Sequence, residues 1–245
     1  MSRLLLLLGT ALLAAVAARA AEPIILSPEA AAREGRALVD QILSERPAQN
    51  MTNTGVLRIR YSRSQRVEKP VRFEISATAS NWSSIYEVGL GTDKVSLAVI
   101  HSDSKPNEYR LTEDGAITNL SQNATMIPFA GSDFWVADLG LEFFHWPKQS
   151  LLRKEIRRGQ SCNVLESVNP HPAPGAYSRV VSWIDIDTDG IVFAEAYDAQ
   201  GKLLKQFAPK SFKKVRGEWQ LEEMEMDNRQ TGSRTWIEFN VGENK

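Results

Sequence analysis

Three aspartates at alternate positions, Asp185, Asp187 and Asp189, precede Gly190 in a chain of 245 residues. Carboxylates at that spacing, with glycine at the sharp bend, make the first half of a calcium loop. The pattern then fails. With Asp185 as the first position, the twelfth is Ala196, where such a loop needs a bidentate glutamate. The residues on either side alternate as strands do, so the expectation is a hairpin turning at Asp189-Gly190, with no metal and no cofactor. Other reactive sets are thinner. His101, His145 and His171 lie far apart, and neither H-E-x-x-H nor G-x-S-x-G occurs. A triad assembled from distant residues stays open. The one cysteine, Cys162, sits in the strand-like run SCNVLESV and reads as a small buried residue. These residues give no support to an enzyme.

The elements that must position these residues begin with a leader. Arg3, an apolar run from Leu4 to Ala18 and the small-residue site Ala18-Arg19-Ala20 have the three regions of a secretory signal peptide. Cleavage near Ala20 would leave residues 21–245 as one domain and move the formal charge from −1 to −3, since only Arg3 and Arg19 are lost. That balance argues against nucleic acid as a partner. A lone cysteine allows no disulfide within the exported chain, so stability must come from an apolar core.

A helix is expected from Ser27 to Arg46, capped by Ser27, with Ala31, Leu38 and Ile42 on one stripe and Gly35 allowing close approach. From Thr54 the period becomes two. Leu57, Ile59 and Tyr61 share one face, as do Phe73 and Ile75, then Leu97 and Val99, opposite Arg58, Arg72 and other charged residues. These are half-exposed antiparallel strands. A second helical stretch is expected from Gly131 to about Glu155, carrying Phe134, Trp135, Leu139, Phe143, Phe144 and Trp146. So many aromatics require a large apolar surface to lie on. Strands then return, punctuated by Gly190, Gly201, Gly217 and Gly232, as a meander. The fold class is α+β, mostly β: a curved sheet with one oily face, covered by helices, enclosing either a filled core or a cavity.

GSDFWVADL resembles the G-[ST]-D-F-x-x-x-D-L motif of the LolA-like outer-membrane lipoprotein-sorting proteins. YSRVVSWIDIDT, AEAYDAQGKLLKQF and GEWQLEEMEMDNRQTGSRTWIEF follow in that family's order. The resemblance spans roughly Gly131 to Phe239. It implies a half-open β-barrel with helices covering a hydrophobic concavity. It implies a periplasmic carrier of lipoprotein or lipid acyl chains, with transient contacts to an inner-membrane transporter and an outer-membrane acceptor. The concavity would be lined by Leu57, Ile59, Tyr61, Phe73, Ile75, Leu97 and Val99. The cover would add Phe134, Trp135, Leu139, Phe143 and Phe144. One departure stands out: the sequence gives no place for the basic residue that clamps the cover in well-studied carriers. A lipid-acting hydrolase on the same scaffold, or a non-catalytic adaptor of an envelope transporter, are the alternatives.

Overall fold

The computed structural model describes residues 26–78, 81–102, 105–215 and 217–242. The expected leader lies outside them. Ser27 caps helix α1 (Pro28–Ser44), its hydroxyl accepting from the Ala30 amide at 3.3 Å, and Pro28 takes the first turn where no amide is needed. Gly35 and Val39 are the buried residues of α1. The expected stripe omitted Val39, yet it anchors the helix.

Strands follow where the alternation placed them, β1 (Met51–Arg60), β2 (Arg66–Ala77), β3 (Asn81–Val88), β4 (Val95–Ser102) and β5 (Lys105–Glu113), and a short β6 (Ala116–Leu120) that it did not place. After an irregular segment come β7 (Lys148–Arg157), β8 (Gln160–Val168), β9 (Arg179–Asp185), β10 (Ile191–Tyr197), β11 (Leu203–Val215), β12 (Glu218–Asn228) and β13 (Arg234–Phe239). In β1 the buried positions are Asn53, Gly55, Leu57 and Ile59, a strict period of two.

All thirteen strands form one antiparallel sheet in the order β6-β5-β4-β3-β2-β1-β13-β12-β11-β10-β9-β8-β7. Two meanders are therefore joined at the centre, where Leu57 stands opposite Ile237 and Ile59 opposite Thr235. The edges are β6 and β7, and they do not pair, so the barrel is half-open. Helix α1 lies across β7. A Cβ on Gly35 would sit 2.7 Å from the backbone of Ser150 and Leu151, so only glycine permits this contact.

The segment between β6 and β7 corrects one expectation. Instead of a long aromatic helix there is a single short turn of helix, α2 (Val136–Leu139), and a 3-10 turn at Glu142–His145. Leu141 between them is left-handed at φ 50°, and QSLLRKE belongs to β7. Packing explains the break. Gly140 presses so closely on Tyr109 that a Cβ would lie 2.3 Å from its hydroxyl oxygen, and Pro147 ends the run. A left-handed leucine costs about 1–2 kcal/mol, which the burial of Phe143 and Phe144 immediately after it offsets.

Candidate functional site

The inner face of the sheet and residues 121–147 together enclose the apolar interior. Leu57, Ile59, Leu97 and Val99 are fully buried in one core group with Phe134 and Leu139 of the covering segment. Phe143 and Phe144 belong to a second group with Val39, Trp146, Leu165 and Ile184. Trp135 is half-buried and stacks on Tyr177 with ring centres 4.5 Å apart. Tyr61 departs from the set: it is 41% exposed, and its hydroxyl donates to the Gly131 carbonyl at the rim. Between the two groups the space is nearly filled, leaving a void of about 40 Å³ beside Phe143, Phe207 and Lys205. The larger spaces lie at the ends. Phe73 and Ile75 line a cavity of about 340 Å³ with Met51, Leu221, Met224 and Phe239. A second, of about 350 Å³, opens beside Glu142, His145 and Trp146.

The cover is pinned by buried polar contacts. Lys205 of β11 points inward, with its Nζ donating to the Asp133 carbonyl at 2.6 Å, 3.9 Å from Asp138 Oδ2 and 3.7 Å from the Trp135 ring centre. Burial pulls the Lys205 amine down to about 8, against the pull of Asp138 and Asp133. Burial likewise pushes Asp138 up, opposed by Lys205, the Trp135 amide and the Tyr177 hydroxyl. Each charge thus offsets part of the other's lost hydration. Asp133 accepts from Ser233 at 2.5 Å, Thr235 at 2.8 Å and Asn228 at 3.1 Å, tying the cover to the β12–β13 hairpin. At the far side Tyr109 donates to Glu142 at 2.7 Å and Asn107 donates to the Gly140 carbonyl at 2.7 Å. Burial pushes Glu142 up to about 7. Sequence reasoning missed Lys205. The signal was its phase: it alternates with Phe207, which faces the core, in a strand where a lysine reads by habit as solvated.

The aspartate run is a turn. Asp185 Oδ1 accepts from the Asp187 amide at 3.1 Å, and its Oδ2 accepts from the Thr188 hydroxyl at 3.0 Å. Asp189 has φ 53°, and its carboxylate accepts from Gln41 of α1 at 2.6 Å. Among the described residues no three His, Cys, Asp or Glu side chains are grouped to hold a metal. His101 stacks on Trp82 at 3.7 Å, and burial pulls it down to about 4. His145 and His171 line the 350 Å³ cavity together, and His101 is not among its lining residues. Cys162 is buried, and burial raises its thiol.

Two kinds of comparison place this architecture. A family model described as "-like: Uncharacterized protein" matches residues 113–243, more than half of the chain. A putative outer membrane lipoprotein-sorting protein domain from Vibrio parahaemolyticus superposes with a TM-score of 0.71 at 20% identity, over 85% of this chain and 91% of that one. The chain belongs to the matched family, and its fold is LolA-like. A LolA superfamily protein from Nitrosomonas europaea gives a TM-score of 0.57 at 18% identity, covering 86% and 91%. A DUF1329 family protein from Desulfovibrio piger gives 0.67 at 18%, covering 86% and 92%. No curated protein matches the sequence. The family match takes in the covering segment 121–147 and its anchors Asp133, Asp138 and Lys205, but not helix α1.

Proposed function

We propose that this protein is a non-enzymatic periplasmic carrier that shelters acyl chains of lipids or lipoproteins between an inner-membrane donor and an outer-membrane acceptor. One observation carries the reading. The sheet ends in two unpaired edges, and the gap is bridged by a segment whose apolar side chains fill the concavity while buried polar contacts hold it at defined points. Such a segment can leave as a unit and expose the inner faces of β1–β5. The 340 Å³ cavity at Phe73 and Ile75 is where a chain would first find apolar walls. The name of the Vibrio parahaemolyticus relative accords with this reading.

Energetics constrain the carrier. One sixteen-carbon chain, fully buried, would gain roughly 12 kcal/mol at about 0.8 kcal/mol per methylene. Two or three would exceed the practical ceiling near 20 kcal/mol and could not be released. Displacing Phe134, Leu139 and Phe144 from their present contacts offsets part of that gain. The near-filled interior favours a second reading, a non-catalytic adaptor whose core never opens.

Uptake of an apolar fluorophore separates the two. A carrier binds it with micromolar affinity or better, palmitate competes, and Phe73→Trp, which narrows the end cavity, weakens binding. Native mass spectrometry of protein from its own host should find co-purified lipid. A folded wild-type protein that takes up no probe and carries no lipid is the adaptor.

A further inference from the structure

We propose that the β11–β12 hairpin tip is a docking arm for an anionic bilayer surface. The hairpin outruns both neighbours. β10 pairs with β11 only as far as Phe207, and β13 pairs with β12 only from Glu223 to Asp227. Beyond those points the two strands have only each other as ladder partners among the described residues. Phe212 stands opposite Leu221 and Lys214 opposite Trp219, two residues further on, so all four share one face. Phe212 is 54% exposed and Trp219 is 69% exposed. Lys214 Nζ lies 5.8 Å from the Trp219 ring centre, and Lys213, opposite Gln220, is exposed on the other face of the same strand.

An amphipathic ring and a phenyl beside one amine, with a second amine on the other face of the narrow hairpin, suit the membrane–water interface. The rings settle at headgroup depth, and the amines meet anionic headgroups within a Debye length. Charge and position decide the occupant. The amines need an acidic surface, and Trp219 and Leu221 also line the 340 Å³ cavity, so an arm lying on a bilayer holds the cavity mouth against it. That last consequence rests on the carrier reading; the docking does not.

Co-sedimentation with vesicles tests this. At low salt the wild type should bind vesicles of equal phosphatidylglycerol and phosphatidylcholine and leave pure phosphatidylcholine vesicles nearly unbound. Lys213→Ala with Lys214→Ala should bind on the order of tenfold more weakly or worse, with a smaller loss on adding salt. Phe212→Ser should also weaken binding, with melting temperature and apolar-probe uptake unchanged in both variants. Brominated lipid should quench the wild type, and Trp219→Phe should lose most of that quenching. The proposal is overturned if the wild type ignores anionic vesicles, if it binds both vesicle types equally, or if the variants bind as it does. Probe uptake without vesicle binding sinks the arm and leaves the carrier. Vesicle binding without probe uptake does the reverse.

Discussion

Lys205 is the most consequential single side chain. Lys205→Met keeps the length but leaves Asp138 and the Asp133 carbonyl without their cation, and should cost about 3–5 kcal/mol in urea unfolding. Adding Asp138→Asn should recover part of the loss; purely additive effects would mean that the two groups do not act as a pair. Glu142 gives the pH dependence. With a folded-state pKa near 7 against an ordinary 4.5, the unfolded chain gives up this proton first as pH rises. Its contribution is therefore complete below about pH 4.5 and is lost as pH climbs through 7, on the order of 3 kcal/mol. His101, held near 4, acts with the opposite slope over the acid range. The difference between wild type and Glu142→Gln isolates the carboxyl: the variant should gain stability relative to wild type between pH 5 and 7.5. A constant difference would refute it. Calcium should leave the melting temperature unchanged, because Asp185 and Asp189 are engaged by Thr188 and Gln41; a rise abolished by Asp187→Ala would show a bound ion.

At the scale of elements, the contact of α1 with β7 turns on Gly35. Alanine is the better helix former by about 1 kcal/mol, yet Gly35→Ala should destabilise the protein, because its Cβ would meet β7 backbone at 2.7 Å and the helix would have to lift. A rise in melting temperature would contradict that packing. The same element shows what a sequence can and cannot say. Capping by Ser27 and most strands were legible, because local chemistry and period two determine them; β6 and β7 were not. The stripe of α1 missed Val39 because it was drawn on too few positions. The covering segment was misread because its aromatics mark burial without fixing a period, and no local signal says that Tyr109, about thirty residues away, forces the chain to turn at Gly140. The burial of Leu57, Ile59, Leu97 and Val99 on one face followed from alternation alone. Tyr61 is exposed because β1 ends at Arg60, and the phase no longer holds beyond it.

For the whole molecule, local stability should be graded from centre to seam. Amide exchange should be slowest in β1 and β13, each paired on both sides, and fastest in residues 121–147 and the edge β6. Saturating palmitate should slow exchange in 121–147 and leave β1 and β13 unchanged; no response in the cover would argue against its opening for cargo. The central pairing also governs how the molecule is made. Each meander is a chain of hairpins between sequence neighbours and can form early. The halves meet only through β1 and β13, where Leu57 must find Ile237, some 180 residues away. Until that loop closes, each half presents an unpaired strand, ten residues in β1 and six in β13, at what will become the middle of the sheet, the kind of edge on which chains aggregate. Misassembly should therefore begin at the strands that are the best protected once folding is complete.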